Sequence, residues 1–493
     1  MIIPTRVLSR SLVIAFGTVL AGCASSGHLQ PSGQLTDAQS LKSERSLAGV
    51  QLSPTAWPRE DWWIGFGDRQ LTALIDEALQ NNPSLAIASA RAKQAQAVAQ
   101  SIDAGRKPQV ALGAAMNGAR LSSKDPIYPA YALGTFVWAK QADLELSWDL
   151  DIWGGRRDAW EAALGRSRAA DIDAHAARIQ LSVNVARTYV QLSYAFALRD
   201  VAEQELARAT QSASYTRRLV QGGLARPQQQ YLADSQVASA EQQKTQADRD
   251  IDAARSSLSV LLGQGPDRGR TIERPTLVDT GAVVLPEQIS IGLLGRRTDL
   301  VAARWRVEAA GKEIKAAKTA FLPNISLSAM AGFVAVGGST NLFQLPARTY
   351  SVAPALTLPI FDGGKLRANL AATDASYDEA VARYNTLLVS AVNDVVDLVS
   401  ASDSVRTQIT QEKRARDDAQ NSWDEAQALY KGGLTDAISP LVTRQQLLLA
   451  EQRLAVLQSQ QTDIAIRLIE ALGGGYDASA ETAEATAENH AGH

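Results

Sequence analysis

The sequence predicts a mixed α/β membrane protein built from two copies of one large unit. Each copy joins a membrane-spanning β-hairpin to a long helical hairpin. Three observations support this: the chain repeats itself, polarity alternates with a period of two near the middle of each copy, and each alternating stretch leads into a long run without proline.

The repeat is visible residue by residue. Gly222-Gly223-Leu224 recurs as Gly432-Gly433-Leu434, 210 positions later. At that offset Gly154 maps to Gly364, Arg157 to Arg367, Leu258 to Leu468 and Gly263 to Gly473. Further upstream the offset is 215, and Leu85 maps to Leu300, Arg91 to Arg306 and Pro108 to Pro323. The unit is longer than the roughly 20–50 residues of a solenoid repeat. A large duplicated unit points to pseudo-symmetry about an axis, as in a pore or ring.

The chain opens like an exported protein. Arg6 and Arg10 precede an apolar run from Leu12 to Leu20, which ends in Leu20-Ala21-Gly22-Cys23. A basic start, an apolar middle and small residues before a break read as a secretory signal over residues 1–22. The run is short of the about 20 residues that a helix needs to cross a bilayer. Cys23 is the sole cysteine, so there is no disulfide framework. It reads either as a free thiol or as the cysteine of a lipobox. In the second reading it carries a diacylglycerol on sulfur and an N-acyl chain, and no other cofactor is expected. Each buried methylene of such an anchor adds about 0.8 kcal/mol of membrane affinity. Ala24 and Ser25 come next, without aspartate, a sorting pattern that favours the outer membrane.

Composition excludes other classes. The formal net charge is -3 with the leader included, and that mild acidity gives no sign of nucleic-acid binding. No other apolar run approaches a transmembrane helix, so a spanning segment must be a strand of a closed barrel.

Residues 23–57 are rich in Ser, Gly and Gln and read as a lipidated tether. A first structural repeat is expected over 58–285 and a second over 286–473, with a disordered Ala/Glu-rich tail over 474–493. Asp61-Trp62-Trp63 and Phe66-Gly67-Asp68 open the first helical stretch, where Leu71, Leu74, Ile75 and Ala78 keep helical spacing. Asn81-Asn82-Pro83 breaks it, and an Ala-rich helix runs from Ser84 to about Ala104. The equivalent pair in copy two covers about Ile289 to Ala320.

After Pro108 and Pro323 the period changes to two. Leu144, Leu146, Trp148 and Leu150 alternate with Asp143, Glu145, Ser147 and Asp149; Ile325, Leu327 and Ala329 alternate with Asn324, Ser326 and Ser328. Hairpins are expected at about 109–150 and 324–360. Strands of about ten residues suit a tilted membrane span, and apolar-out, polar-in alternation suits a lipid-facing barrel. Tyr131, Phe136, Trp138, Phe343 and Tyr350 flank them as an interfacial belt would. Four strands cannot close, and open edges in lipid leave backbone groups unpaired. Three chains would supply twelve strands, an even number within the bacterial range.

Each second strand leads into a long helix, Gly155 to Gln221 and Gly364 to Lys431, each free of proline. Gly-Gly pairs end both, and return helices run from Gln228 to Leu262 and from Leu441 to Leu472, giving helical hairpins over about 155–263 and 364–472. Such lengths suggest coiled-coil packing.

These residues resemble the TolC-like outer-membrane efflux channels, in the lipoprotein branch that includes NodT-type proteins. The likeness is carried by Asp61-Trp62-Trp63 with Phe66-Gly67-Asp68, by Leu146 through Gly154, by Leu358-Pro359-Ile360-Phe361-Asp362-Gly363-Gly364 and by the two Gly-Gly-Leu turns. It covers about Trp57 to Gly473. It implies a homotrimer with a twelve-strand barrel in the outer membrane, continued into the periplasm by a twelve-helix α-barrel. It also implies a passive exit duct for drugs or small molecules, served by a periplasmic adaptor (membrane fusion) protein and an inner-membrane pump of the resistance-nodulation-division type. Adaptor contact is expected at Gln221, Gly222, Gly223 and Leu224 and at Lys431, Gly432, Gly433 and Leu434. The family's closed end maps just beyond the second turn, to Asp436, Ile438, Ser439 and Val442. Acidic residues common in relatives are replaced here by Ser439 and Val442, and Asp436 alone remains acidic. Ile438 and Val442 either form an apolar constriction that gates by dewetting or pack between helices.

Enzyme chemistry and a metal site find no support: four histidines, at 28, 175, 490 and 493, lack ligand-like partners. Two other functions stay open, the exit duct of a type I protein-secretion system and a non-porous periplasmic coiled-coil lipoprotein. The lipobox leans toward efflux, and the period-two segments disfavour the coiled coil.

Overall fold

Glycine and proline set most of the boundaries. A computed structural model describes residues 27, 29–43, 45–48, 57–120, 122–124, 134–276, 289–336 and 342–478. Cys23, the leader, Tyr131 and most of the C-terminal tail lie outside the described residues. The helices are α1 (Arg69–Asn81), α2 (Pro83–Ala104), α3 (Gly155–Gln221), α4 (Pro227–Leu261), α5 (Pro266–Arg270), α6 (Ile289–Arg296), α7 (Thr298–Thr319), α8 (Lys365–Lys431) and α9 (Ser439–Ala471). The strands are β1 (Gln109–Arg120), β2 (Phe136–Leu150), β3 (Asn324–Val336) and β4 (Arg348–Thr357).

Both long helices, α3 and α8, run for 67 residues. The strands are 12, 15, 13 and 10 residues long, so three of them exceed the expected ten. The pair of helices expected over about 289–320 meets at Arg297, which bonds Asp299 in the first turn of α7 at 2.7 Å. The short helix α5 was not legible in the apolar pattern. No described helix is long and apolar enough to cross a membrane.

The chain forms two compact units, each drawing on both halves of the sequence. The first takes its residues from 1–35, 92–170 and 303–384, so far as they are described. Its centre is a four-stranded antiparallel sheet in the order β1-β2-β3-β4. In register, Val110 faces Leu146, which faces Ala329, which faces Val352, so apolar side chains share one face. The opposite face carries the row Gly113, Asp143, Gly332 and Thr349. Phe136 meets Trp138 edge to face at 5.6 Å, and Phe333 meets Phe343 at the same separation. Trp148 and Trp153 donate indole N–H groups to the carbonyls of Arg106 (3.1 Å) and Pro323 (2.7 Å), which fixes the strand ends. Ile314, Phe321 and Leu370 form a small core. The N-terminal segment lies on this core instead of hanging free. Leu29 packs against it, and Ser32 and Gly33 donate backbone N–H groups to Asp378 at 2.9 and 2.7 Å.

The second unit takes residues 36–91, 171–302 and 385–493, again so far as they are described. Its core gathers Trp62, Trp63 and Phe66 with Leu71, Leu74 and Ile75 of α1, Val183 to Phe196 of α3, and Leu258 and Leu262 at the end of α4. Asp68 caps α1 by accepting from the N–H groups of Gln70 and Leu71 at 2.8 and 3.2 Å. Such a cap satisfies donors that a helix start otherwise leaves open. Gly263 (φ 69°) ends this core's helix where a Cβ would lie 2.7 Å from the Asn81 carbonyl oxygen. The start of the expected disordered tail is held in place, because Asp477 pairs with Arg296 at 2.8 Å.

Candidate functional site

The two Gly-Gly turns and the start of α9 all belong to the second unit. Each turn is built the same way. Gly223 and Gly433 adopt φ of 71° and 72°, the left-handed region that glycine enters without a Cβ penalty. Leu224 then donates its N–H back to the Leu219 carbonyl at 2.8 Å, and Leu434 to that of Leu429 at 2.9 Å. These bonds close both helix C-termini in the glycine-led manner of a Schellman turn. The leucines themselves are left in solvent: Leu224 is 80% exposed and Leu434 78%. Two matched apolar side chains thus stand out in water at the turns, while Gln221 and Lys431 end the helices beside them.

The residues expected at a gate divide into two kinds. Asp436 is exposed, and its Oδ1 accepts from the N–H groups of Ile438 (3.1 Å) and Ser439 (3.0 Å). It therefore caps the start of α9 from an exposed position. Pro440 occupies the first turn of α9, where a missing N–H costs little. Pro440 and Leu441 are buried, Ile438 and Ser439 are half-buried, and Val442 is 51% exposed. Hence Leu441 faces the helices and Val442 faces away from them.

Sequence reasoning missed a groove beside this start. It has a volume of about 420 Å³ and is lined by Tyr215, Arg218, Trp423, Tyr430 and Arg444 among others. The Arg444 guanidinium stacks 4.5 Å over the Trp423 ring and hydrogen-bonds Gln204. That bond links α9 to α3, so one arginine ties the second helical hairpin to the first. The visible signal was Trp423 alone, an aromatic in a polar stretch; its partner arginine lies across a turn and has no local spacing rule. Among the described residues no three His, Cys, Asp or Glu side chains gather as a metal ion requires. His175 packs 5.9 Å from Tyr476.

The profile of the family described as outer membrane efflux protein matches residues 74–264 and 292–474. The chain belongs to the outer membrane efflux protein family. Its matched residues take in both Gly-Gly turns, the sheet, and the stretch from Asp436 to Val442. This efflux protein is 35% identical over 366 residues to the fusaric acid resistance protein FusA of Burkholderia cepacia, covering 74% of this chain and 68% of that one. It is 31% identical over 490 residues to the multidrug resistance outer membrane protein MdtP of Escherichia coli, covering 96% of this chain and 98% of that one. Among solved structures, the outer membrane protein VceC of Vibrio cholerae superposes with a TM-score of 0.78 at 33% identity, over 85% of this chain and 100% of that one. The relatives are outer-membrane channel and resistance proteins, and the outer membrane is where this efflux protein resides.

Proposed function

We propose that three copies of this chain assemble into one duct through the outer membrane, the passive exit of a tripartite efflux pump. The observation that carries this is the sheet. One face of it is apolar and exposed, with Leu112 at 77% exposure, and the outer edges of β1 and β4 have no partner strand among the described residues. In lipid, unpaired edges and an exposed apolar face are compatible only when the edges pair with other copies and the barrel closes. Three sheets make a twelve-strand barrel, and the duplicated helical hairpins supply twelve helices for a periplasmic α-barrel. The two-fold use of one element order supports an internal duplication.

In this reading Leu224 and Leu434 are the pegs that meet a periplasmic adaptor, and Asp436, Ile438, Ser439 and Val442 surround the periplasmic opening. The bond between Arg444 and Gln204 holds the hairpins in register while the opening is closed. Cys23 carries the lipid. The multidrug and fusaric acid resistance roles of the relatives favour small-molecule cargo over a secreted protein. The pump's energy comes from its inner-membrane member, so this chain supplies a conduit and no catalytic group.

Native mass measurement in detergent tests the assembly, and planar-bilayer recording tests the pore. Three chains per particle and discrete conductance steps are expected. A stable monomer, or no conductance from intact trimer, would overturn the reading.

A further inference from the structure

The face of the sheet opposite its apolar side holds a buried carboxylate with no obvious structural work. Asp143 lies in the middle of β2 and is 3% exposed. Its Oδ2 has no hydrogen-bond partner among the described residues. Across the register it pairs with Gly113 on β1 and Gly332 on β3. A Cβ at Gly332 would lie 2.5 Å from the Asp143 Cα, and a Cβ at Gly113 would lie 3.6 Å from Oδ2. Glycine on both sides thus makes room for the side chain between the neighbouring strands, where Oδ2 is shielded from solvent and no protein group among the described residues satisfies it.

The rest of that face has matching chemistry. Glu145 and Asp149 share it with Asp143, by the period of two. Neighbouring positions in register are small or neutral, among them Ala111, Ala115, Ser326, Ser328, Thr349 and Ser351. The strand residues on this face include no lysine or arginine, since Lys140, Arg120 and Arg348 fall on the other parity. Asp149 is paired with Arg156 just beyond the strand. A buried, unpaired carboxylate favours a nearby cation, because an opposite charge offsets its lost solvation.

We propose that Asp143, seated between Gly113 and Gly332, is a cation-binding residue in the lumen of the barrel. This rests on the duct reading, in which the polar face of the sheet lines the pore. Three copies would form an acidic ring, the arrangement by which cation channels select. A single carboxylate per chain, without the cluster that a divalent ion requires, suits univalent cations, either an alkali-metal ion or a protonated amine in transit. The ring would give the barrel a cation preference of its own, separate from any at the periplasmic opening.

The test is reversal potential in planar bilayers under potassium chloride and methylammonium chloride gradients. Parent and variants all carry Asp436→Asn, which silences the periplasmic carboxylate, and trimer is verified by native mass. Asp143→Asn should lower the cation-to-anion permeability ratio about fivefold, the factor carried by one water-screened charge at contact distance. Asp143→Glu should keep the parent ratio. A fall in both salts supports a site for either kind of cation, and a fall in potassium alone supports an inorganic-ion site. An unchanged ratio in Asp143→Asn, or an equal fall in Asp143→Glu, overturns the site while leaving the duct intact. A parent trimer without conductance overturns both.

Discussion

The Tyr189 hydroxyl donates to Asp68 Oδ2 at 2.8 Å, joining the N-terminus of α1 to the middle of α3 inside the core of the second unit. The same oxygen accepts from the Thr276 N–H at 2.9 Å, while Oδ1 caps α1. Burial alone would raise the Asp68 pKa, but these bonds outweigh it and hold the carboxyl below its ordinary value. The Tyr189 hydroxyl is pushed upward by burial and by the neighbouring carboxylate, so it stays protonated and keeps donating.

This contact makes stability depend on pH. Because the folded pKa of Asp68 is depressed, its contribution is fully present above the unfolded value of about 4 and is lost as pH falls through the lower folded value. Asp68→Ala removes a helix cap and a charged acceptor, a loss of about 2–4 kcal/mol. Thermal melting of the detergent-solubilised protein should show a large deficit for the variant at pH 7 that narrows toward pH 3. A deficit of constant size across that range would mean that the carboxylate's charge contributes nothing.

The turns were legible because glycine pairs are rare punctuation in proline-free helices, and Gly223 and Gly433 sit where they were expected. The strands were legible because Leu144, Leu146 and Trp148 keep a period of two. The features that escaped are non-local. Asp143 between Gly113 and Gly332 depends on the register of three strands, and the Arg444, Trp423 and Gln204 grouping joins α9, α8 and α3. The N-terminal segment read as a loose tether, since Ser and Gly give no sign that Asp378 on α8 will receive their backbone N–H groups. The short helix α5 has too few residues for an apolar period to show.

The turn pegs give a second prediction. Gly223→Arg and Gly433→Arg force a left-handed backbone on a residue with a Cβ, costing about 1–2 kcal/mol each, although open space surrounds both positions. The trimer should survive and efflux should fall. Leu224→Ser with Leu434→Ser tests contact without strain: melting should be unchanged and drug resistance in cells reduced. Full resistance in that pair of substitutions would place adaptor docking elsewhere.

The docked segment constrains the anchor. Ser32 is held at Asp378 and lies nine residues after Cys23, so a lipid carried by Cys23 would lie within about 30 Å of that contact. Cys23→Ser should remove acylation, visible as the loss of lipid mass from the mature N-terminus, and should lower the outer-membrane fraction. Channel conductance of the purified variant should persist, because a barrel closed by three copies would hold itself in lipid. An unmodified Cys23 in the parent would exclude lipidation.

The opening offers the most direct test of the proposed gate. Val442 is 51% exposed while Leu441 beside it is buried, so Val442 is free to face the axis of an assembly. In a trimer each substitution acts three times around one ring. Ile438→Ala with Val442→Ala removes apolar bulk from a constriction that would close by expelling water, and should raise resting conductance and sensitivity to large antibiotics. Asp436→Asn keeps the side-chain oxygen that caps α9, at little cost to the helix, but removes a charge. It should weaken cation preference with resting closure unchanged. Arg444→Ala should loosen the tie to Gln204 and raise the leak with the apolar ring intact, and combining it with the double alanine separates the two restraints. Equal resting conductance in the double-alanine variant and the parent would leave the link between α9 and α3 as the restraint that holds the opening shut.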